Sequence, residues 1–343
     1  MVGKRTNFGV AGGELDLLRT IRDRAARGAR QGSLRLGIGD DCALLGVKPG
    51  EELAVTTDLS IAGRHFRMDC HPPESVGHRT LARGLSDLAA MGARPVAAFL
   101  SLGVPRELTV RKGRGGSWVD RFLEGLFRLA DTHGCPLAGG DLAESPVALA
   151  DIVLVGAAPA GKALRRSGAL PGDLLYVTGT LGAAAAGLAK LGETVARRSS
   201  RRWIDPPRVP AVLVAHLYPQ PRIAQGLTLR RRGLAAAAID LSDGLSTDLA
   251  HLCEESGAGA IIQAEKLPLG GTASVDQALH GGEDYELLFA ARPWLRMPRT
   301  LAGVPITGIG QIARPQRGMP RVMIETGTTV EPLAPQGWEH FGS

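Results

Sequence analysis

Apolar residues recur along the chain with two spacings, one typical of helices and one typical of strands. Repeats every three or four positions predict helices over residues 14–27, 75–91, 118–132, 182–191, 223–231 and 275–279, with another beginning at 242. Short apolar runs predict strands over residues 52–57, 96–104, 136–141, 148–157, 174–178, 235–240, 260–264 and 285–290, and two or three more between 303 and 330. This order predicts two α+β units with a boundary near residue 160.

Acidic residues mark many of the glycine turns and strand ends between these elements. They are Asp41, Asp58, Asp87, Asp141, Asp240, Asp243 and Glu283. Taken singly, an acid in such a place more often caps a helix or completes a turn than binds a ligand. Nearly all of these follow an apolar strand, where side chains can meet in one cleft. Clustered carboxylates repel one another, and Mg²⁺ with bound phosphates removes that cost. The pattern therefore favours a nucleotide site built from acids and metal ions.

The stretch 36–66 carries the densest set of such groups. Asp40 and Asp41 follow two glycines, and a predicted strand ends in Thr56, Thr57 and Asp58. Hydroxyl and carboxylate oxygens are the ligands of hard divalent cations. A turn followed by a capping aspartate explains the same residues, so this stretch alone leaves both interpretations open.

Composition narrows the class of protein. The chain has 343 residues and a net charge of +6, but no basic stripe with interleaved aromatics, so nucleic-acid binding is disfavoured. Four cysteines without a CxxC pair, and no apolar leader or membrane-length apolar run, predict a cytoplasmic protein with free thiols. Residues 156–162 match a P-loop spacing, but Ala163 replaces the metal-binding Ser or Thr, so we interpret them as a connector.

Nine motifs, spread over almost the whole chain, occur in the order typical of one family. They read GIGDDCALL, VTTDLSIAGRHF, LSDLAAMGARP, AGGD, RRSGALPGD, YVTGTLGAAAAGL, AAIDLSDGL, LHGGEDYELLF and GWEHF. Together they resemble the thiamine-monophosphate kinase family, which is related to aminoimidazole ribonucleotide synthetase. The resemblance implies a homodimer of two-domain α+β chains whose N-terminal mixed sheets pair. It also implies ATP-dependent phosphorylation of thiamine monophosphate with several Mg²⁺ ions.

The resemblance also implies roles for individual residues. In its terms, residues 1–160 form an ATP- and Mg²⁺-binding domain, and residues 161–343 complete the nucleotide and substrate site. The implied metal ligands are Asp41, Thr56, Thr57, Asp58, Asp87, Asp141, Asp240 and Asp243, with Asp58, Asp87 and Asp141 the most critical. The implied ATP contacts are Gly140, Asp141, Arg166 and Ser242, and the implied thiamine-monophosphate contacts are His65, Glu283 and Trp338. No side chain is expected to act as a nucleophile, because the acceptor phosphate is already anionic.

Departures from the family pattern keep alternatives open. GGDLAES lacks the hydroxyls and arginine usual after Asp141, Ala183 and Ala184 replace an Asp-Ser pair, and the basic loop 111–116 has no assigned role. A sister ATP-dependent enzyme acting on another acceptor is the nearest alternative. A non-catalytic nucleotide- or RNA-binding protein is a more distant one, since the acidic cluster would repel nucleic acid.

Overall fold

A computed structural model describes residues 14–28, 33–111, 116–196, 209–315, 318 and 320–337. The helices are α1 (Glu14–Gly28), α2 (Pro73–Ala90), α3 (Trp118–His133), α4 (Ala183–Ala196), α5 (Ala211–Leu217), α6 (Ile223–Arg232), α7 (Leu245–Glu255) and α8 (Val275–His280). The predicted helices are confirmed in place and type. Trp338, the arginine-rich loop 197–208 and most of the loop 111–116 lie outside the described residues.

The strands fall into three sheets. They are β1 (Leu34–Leu36), β2 (Leu44–Leu45), β3 (Glu51–Ile61), β4 (Arg94–Val104), β5 (Leu137–Glu144), β6 (Leu149–Pro159), β7 (Leu174–Thr178), β8 (Ala237–Asp240), β9 (Gly259–Gln263), β10 (Leu287–Ala291), β11 (Thr300–Leu301), β12 (Val304–Ala313), β13 (Val322–Thr326) and β14 (Thr329–Pro332). Strands β1 and β2 form a small hairpin-like pair, while the others build one sheet in each half of the chain.

Three predicted boundaries are wrong in ways that affect the site. Strand β3 continues to Ile61, so Thr56, Thr57 and Asp58 lie within a strand and not at its end. Strand β5 likewise runs through the Gly-Gly-Asp segment to Glu144. The helix expected from residue 242 begins only at Leu245, because residues 242–244 form a turn. In each case a glycine or polar residue marks the predicted end of the element, but in the structure backbone pairing or a turn continues past that residue.

The N-terminal sheet has the order β3-β6-β4-β5, and it is mixed, as expected, because only β4 and β5 are parallel. The C-terminal sheet has the order β14-β13-β9-β12-β7-β10-β8, with β11 paired to β12. Sheet membership changes between Pro159 and Leu174, and the domain boundary near residue 160 stays a prediction. One hydrophobic core nevertheless joins the halves, since Leu154 and Phe289 belong to the same buried cluster.

Helix α2 is the element that connects the two halves. It packs on α3, on strands β3 and β6 of the N-terminal sheet, and on α6 and β8 of the C-terminal half. Its crossing with α3 is very close, because a Cβ atom at Gly77 would lie 1.9 Å from the carbonyl oxygen of Phe122. A side chain there would force the helices apart. Helix α2 is therefore buried on nearly every side, and its polar residues face protein or a cleft.

Candidate active site

A cleft of about 750 Å³ lies between α2, the turn after β3, helix α4 and two turns of the C-terminal half. Seven of the predicted site residues line it: Asp58, His65, Asp87, Asp240, Ser242, Asp243 and Glu283. Five of the seven acids selected from the sequence are among them. Residues separated by more than 200 positions along the chain thus meet in one space, as the pattern of acidic turns predicted.

Helix α2 carries a row of three charged residues, of which Arg83 and Asp87 line the cleft and Arg79 is buried beside it against Glu283. Arg79, Arg83 and Asp87 are spaced by four, so they share one face of the helix at intervals of about 6 Å. The leucines of α2 are buried on other faces, and Asp87 is directed away from them, as its spacing predicted. The row has a cationic end at Arg79 and an anionic end at Asp87.

The anionic end gathers buried carboxylates from both halves of the chain. Asp87 accepts a short hydrogen bond from the Thr56 hydroxyl, and Asp240 accepts one from Ser86 at 2.7 Å. Burial raises the pKa of Asp58 to about 6, assisted by the charge of Asp87 and opposed by that of Arg83. Burial, with the charge of Asp87, raises the pKa of Asp240 to about 7, and burial also raises the pKa of Asp87. These groups are held together at a cost that a bound cation would remove.

The turn 242–244 is shaped by a carboxylate that the sequence reading passed over. Asp248 accepts hydrogen bonds from the backbone N–H groups of Ser242, Asp243 and Gly244 at 3.0–3.1 Å. It lies in the first turn of α7, where an anion satisfies otherwise unpaired donors. Asp248 therefore fixes the backbone that presents Ser242 and Asp243 to the cleft.

The opposite end of the cleft is organised around Glu283. Its carboxylate forms a short ion pair with Arg79 and lies 3.3 Å from Nδ1 of His216. Nε2 of His216 in turn lies 3.0 Å from Nε2 of His71. Burial alone would raise the pKa of Glu283, but the charge of Arg79 and the contact with His216 hold it below its usual range. Glu283 is thus an ionised carboxylate in a cleft that disfavours charge.

The backbone around Glu283 is strained. Glu283 has a φ of 68° and Tyr285 a φ of 51°, a left-handed conformation that non-glycine residues rarely adopt. A Cβ atom at Gly282 would lie 2.4 Å from the carbonyl oxygen of Ser242, so this turn packs directly on the turn that carries Asp243. Such strain is typical of functional sites whose surroundings over-determine the conformation.

A partly apolar wall faces this end of the cleft. Ala184, Ala185 and Leu188 of α4 line it across from His65, whose Nδ1 accepts a hydrogen bond from the N–H of Ile61 at 3.1 Å. Asp284 holds the first turn of α4 by accepting from the N–H groups of Gly182 and Ala184. The side chains that α4 presents to the cleft are therefore all aliphatic.

The other predicted residues do not line the cleft. Asp41 lies in an exposed turn after β1, and Arg166 is exposed but close enough for its charge to oppose the burial that raises the pKa of Asp87. Thr57 donates to Asp151 at 2.8 Å on the face of the N-terminal sheet that α2 does not cover. Asp141, preceded by Gly140 on β5, lies on that same face.

The pairing register defines this second polar group. Ser101 on β4 is directly opposite both Asp151 on β6 and Asp141 on β5, so the three side chains lie in one row. Asp58, one residue away from Thr57, projects to the other face. The predicted metal and ATP ligands are therefore divided between the cleft and the open face of the sheet.

The donors of the cleft fit Mg²⁺ in kind, because they are carboxylate and hydroxyl oxygens. Within the described ranges, no three His, Cys, Asp or Glu side chains form a group that could hold a metal ion by themselves. Mg²⁺ is commonly bound by one or two carboxylates, with water and substrate phosphates completing its octahedron. The raised pKa values of the aspartates at this end agree with a site that binds cations.

Among the residues that the structure describes, none of the helices has the length and apolar character needed to cross a membrane.

Comparison with known proteins relates the chain to one family. Residues 39–158 match the N-terminal domain model of AIR synthase related proteins, and residues 171–303 match the C-terminal one. The chain is 39% identical to thiamine-monophosphate kinase of Escherichia coli K12 over 97% of its own length and 100% of the relative's.

Solved structures agree in fold. Thiamine-monophosphate kinase from Stenotrophomonas maltophilia matches with a TM-score of 0.74 and 34% identity, over 92% of this chain and 97% of the other. AaThiL complexed with AMPPCP and TMP matches with a TM-score of 0.72 and 30% identity, over 96% and 97%. The motifs, the two-domain α+β fold and these relatives agree, and the chain belongs to the thiamine-monophosphate kinase family.

Proposed function

We propose that this protein transfers the terminal phosphate of ATP to thiamine monophosphate, forming thiamine diphosphate. The observation that carries the proposal is the cleft itself, with Asp58, Asp87, Asp240 and Asp243 at one end and ionised Glu283 at the other. The family relatives are named for this activity, and AaThiL is described in complex with AMPPCP and TMP. A sister activity on another acceptor has no comparable support.

The end near Glu283 suits the thiamine moiety. A carboxylate kept ionised by Arg79 attracts a cationic thiazolium, and the alanines and Leu188 of α4 offer an apolar surface for the rings. His65 lies beside this surface and is proposed to contact the same substrate. Trp338, the third proposed contact, lies outside the described residues.

Mg²⁺ is part of the proposal. Its proposed ligands are Asp41, Thr56, Thr57, Asp58, Asp87, Asp141, Asp240 and Asp243. When bound, Mg²⁺ would supply positive charge that screens two phosphates from each other and stabilises phosphoryl transfer. In the chain itself, α2 and the turn at 242–244 hold the carboxylates in place, and Asp248 keeps that turn in shape.

ATP is proposed to contact Gly140, Asp141, Arg166 and Ser242. Gly140 has a φ of 149°, and a Cβ atom there would lie 1.9 Å from the carbonyl oxygen of Leu100, so only glycine fits without displacing β4. A bare backbone on an exposed strand lets a nucleotide approach closely. We assign residues 1–160 to the ATP- and Mg²⁺-binding domain and residues 161–343 to the domain that completes the site.

A homodimer is also proposed. On the face of the N-terminal sheet that α2 does not cover, β3 exposes Leu53, Val55 and Leu59, with Thr57 between the last two. An apolar strip on an edge strand is a typical protein contact surface, and a partner sheet would cover it. Analytical ultracentrifugation tests this proposal. The wild type should sediment as a dimer and Val55→Asp as a monomer, and equal masses for the two proteins would show that this strip is not the dimer contact.

The four free cysteines support the proposed cytoplasmic setting.

The activity is tested by incubating the protein with ATP, Mg²⁺ and thiamine monophosphate and resolving the products by chromatography. Thiamine diphosphate and ADP should form in equal amounts, and omission of Mg²⁺ should abolish both. Unphosphorylated thiamine is the matched control acceptor and should yield no product. Equal turnover with thiamine, or none with the monophosphate, would refute the assignment.

A further inference from the structure

Arg83 is a cleft residue to which neither the sequence motifs nor the comparisons assign a role. It lies on α2 between Arg79 and Asp87, and its side chain is 19% exposed. It lines the cleft together with Asp58 and Glu283. A guanidinium with so little exposure normally has a strong partner.

The contacts of Arg83 with the described residues are long. They are 3.4 Å to a carboxylate oxygen of Asp58, and 3.5 Å to the carbonyl oxygen of Leu59 and the hydroxyl of Ser60. By contrast, Arg67 at the same cleft forms a two-pronged pair with Asp69 at 3.0 and 2.6 Å. The guanidinium of Arg83 therefore keeps hydrogen-bonding capacity for an anion that enters the cleft.

Charge selects the kind of anion. Asp58 lies 3.4 Å from Arg83, and Asp243 and Glu283 line the same cleft. A phosphate entering the cleft meets several carboxylates that repel it. Arg83 is a cation placed among them, and a planar guanidinium can bind two phosphate oxygens at once.

The spacing along α2 gives the position of that phosphate. Arg83 is one helical turn from Arg79, which holds Glu283 at the thiamine end, and one turn from Asp87 at the metal end. A substrate with a cationic ring at one end and a phosphate at the other, bound by Glu283, places its phosphate near the middle of the row. The γ-phosphate of ATP, by contrast, belongs beside the metal-binding acids.

We propose that Arg83 binds the phosphate of thiamine monophosphate and so selects a phosphorylated acceptor. This inference rests on the proposed function and names a substrate-binding residue for it. The 3.4 Å ion pair with Asp58 is exchanged for charge-assisted hydrogen bonds to the phosphate. No covalent bond to Arg83 forms at any step.

Equilibrium binding tests the proposal without turnover. Isothermal titration with Mg²⁺ present would measure the Kd of thiamine monophosphate and of thiamine for the wild type and for Arg83→Gln. Loss of charge-assisted hydrogen bonds should weaken thiamine monophosphate binding by about tenfold to hundredfold. Thiamine binding should stay within about twofold, because it lacks the phosphate. Arg83→Lys, which keeps the charge but not the planar fork, should fall between.

Two controls separate this role from others. Arg67→Gln removes the same charge from the same cleft, but its guanidinium is already engaged by Asp69, so both Kd values should stay near those of the wild type. Binding of a non-hydrolysable ATP analogue and of ADP tests whether Arg83 instead contacts a phosphate of the nucleotide. Arg83→Gln should bind both as the wild type does, which would also show that it is folded.

Distinct results overturn distinct claims. If Arg83→Gln binds thiamine monophosphate as tightly as the wild type, Arg83 has no phosphate role. If only the ATP analogue is bound more weakly, the acceptor assignment is wrong and Arg83 contacts the nucleotide. If thiamine and its monophosphate weaken equally, Arg83 only shapes the cleft. Failure of the wild type to form thiamine diphosphate would instead refute the proposed function.

Discussion

At one end of the cleft, Asp58 and Asp87 are half-buried beside the buried Asp240, and at the other end Glu283 is half-buried beside Arg79 and His216. Burial pushes the pKa of every one of these carboxyl groups upward. Only Glu283 has a cationic partner strong enough to reverse the effect. The first end is therefore incomplete without a cation from solution, whereas the second carries its own.

This difference separates two kinds of function for the same chemical group. Carboxylates whose charge is not compensated within the protein bind metal ions and set the conditions for phosphoryl transfer. A carboxylate compensated in advance cannot gain much from a metal ion and instead offers fixed geometry to an organic cation. Substitutions at the two ends should consequently affect turnover, substrate affinity and stability in different proportions.

The largest effect is expected from Asp58→Asn at the uncompensated end. Loss of one charge that positions metal and phosphates should lower kcat/KM by at least about 10²–10³-fold. The metal-free protein should unfold at the same or a higher temperature, since a buried charge is removed. Steady-state kinetics and thermal unfolding measure the two quantities.

Asp69→Asn is the matched control, because Asp69 pairs with Arg67 at the rim and does not line the cleft. It should leave kcat/KM within a few-fold of the wild type. Near-normal turnover by Asp58→Asn would contradict the claim that the aspartates at this end of the cleft act in phosphoryl transfer.

Glu283→Gln should give the next largest effect, and of a different kind. It leaves Arg79, whose side chain is 5% exposed, without a countercharge, which costs about 3–5 kcal/mol of unfolding free energy. It should also raise KM for thiamine monophosphate by about tenfold or more while KM for ATP changes little. Denaturant unfolding and kinetics with each substrate varied would measure both.

The double variant Arg79→Met with Glu283→Gln separates the two roles of this pair. Removing both charges should restore much of the stability, because an apolar side chain replaces the stranded cation. Affinity for thiamine monophosphate should stay low, since the carboxylate is still missing. Recovery of substrate affinity along with stability would mean that Glu283 acts only in folding.

Some of the residues at the two ends of the cleft could be predicted from the sequence, and others could not. Asp87 could be assigned because the leucines of α2 define one buried face and leave it on another. The sequence does not single out Arg79 and Arg83, because arginines on a helix ordinarily face solvent. The partners of Arg79 include His216 and Glu283, more than 130 positions away, and the contacts of Arg83 depend on how strand β3 lies against α2. No local sequence pattern indicates that these arginines will be covered when the chain folds.

The polar group on the face of the N-terminal sheet that α2 does not cover is even harder to predict from the sequence. The sequence predicts Asp141 as a site residue from its place after two glycines, and that role stays a prediction. Its neighbours Ser101 and Asp151 depend on the register of three strands. A shift of one residue would send Asp151 to the other face. Sequence periodicity predicts a strand and its two faces, but not which residue of another strand lies opposite.

The smallest expected effect is a pH dependence that distinguishes the two ends in the intact protein. Asp58 and Asp240 have folded-state pKa values of about 6 and 7, above the ordinary 3.8 of the unfolded chain, so the folded state holds extra protons in this window. Without metal, the contribution of these two groups to the free energy of unfolding should fall as the pH rises from about 4 to about 7. Glu283 has the opposite sign, since its lowered pKa adds stability above its ordinary 4.5 that is lost only in stronger acid.

Thermal unfolding of the wild type and of Asp58→Asn would be measured between about pH 5 and pH 8, with and without Mg²⁺. The difference between the two profiles isolates the uncompensated end, because Glu283 stays ionised throughout and the shifted pKa values of Asp284 and of the buried histidines act in both proteins. Without metal, the melting temperature of the wild type should drop toward pH 8 by several degrees relative to that of Asp58→Asn. For a chain of this size, about 1 kcal/mol corresponds to about 2–4 °C or somewhat less. Mg²⁺ should raise it most where Asp58 and Asp240 are ionised and have little effect near pH 5. Asp58→Asn should flatten the metal-free profile, whereas Asp69→Asn should not. A Mg²⁺ effect independent of pH would show that the metal binds somewhere other than the buried aspartates.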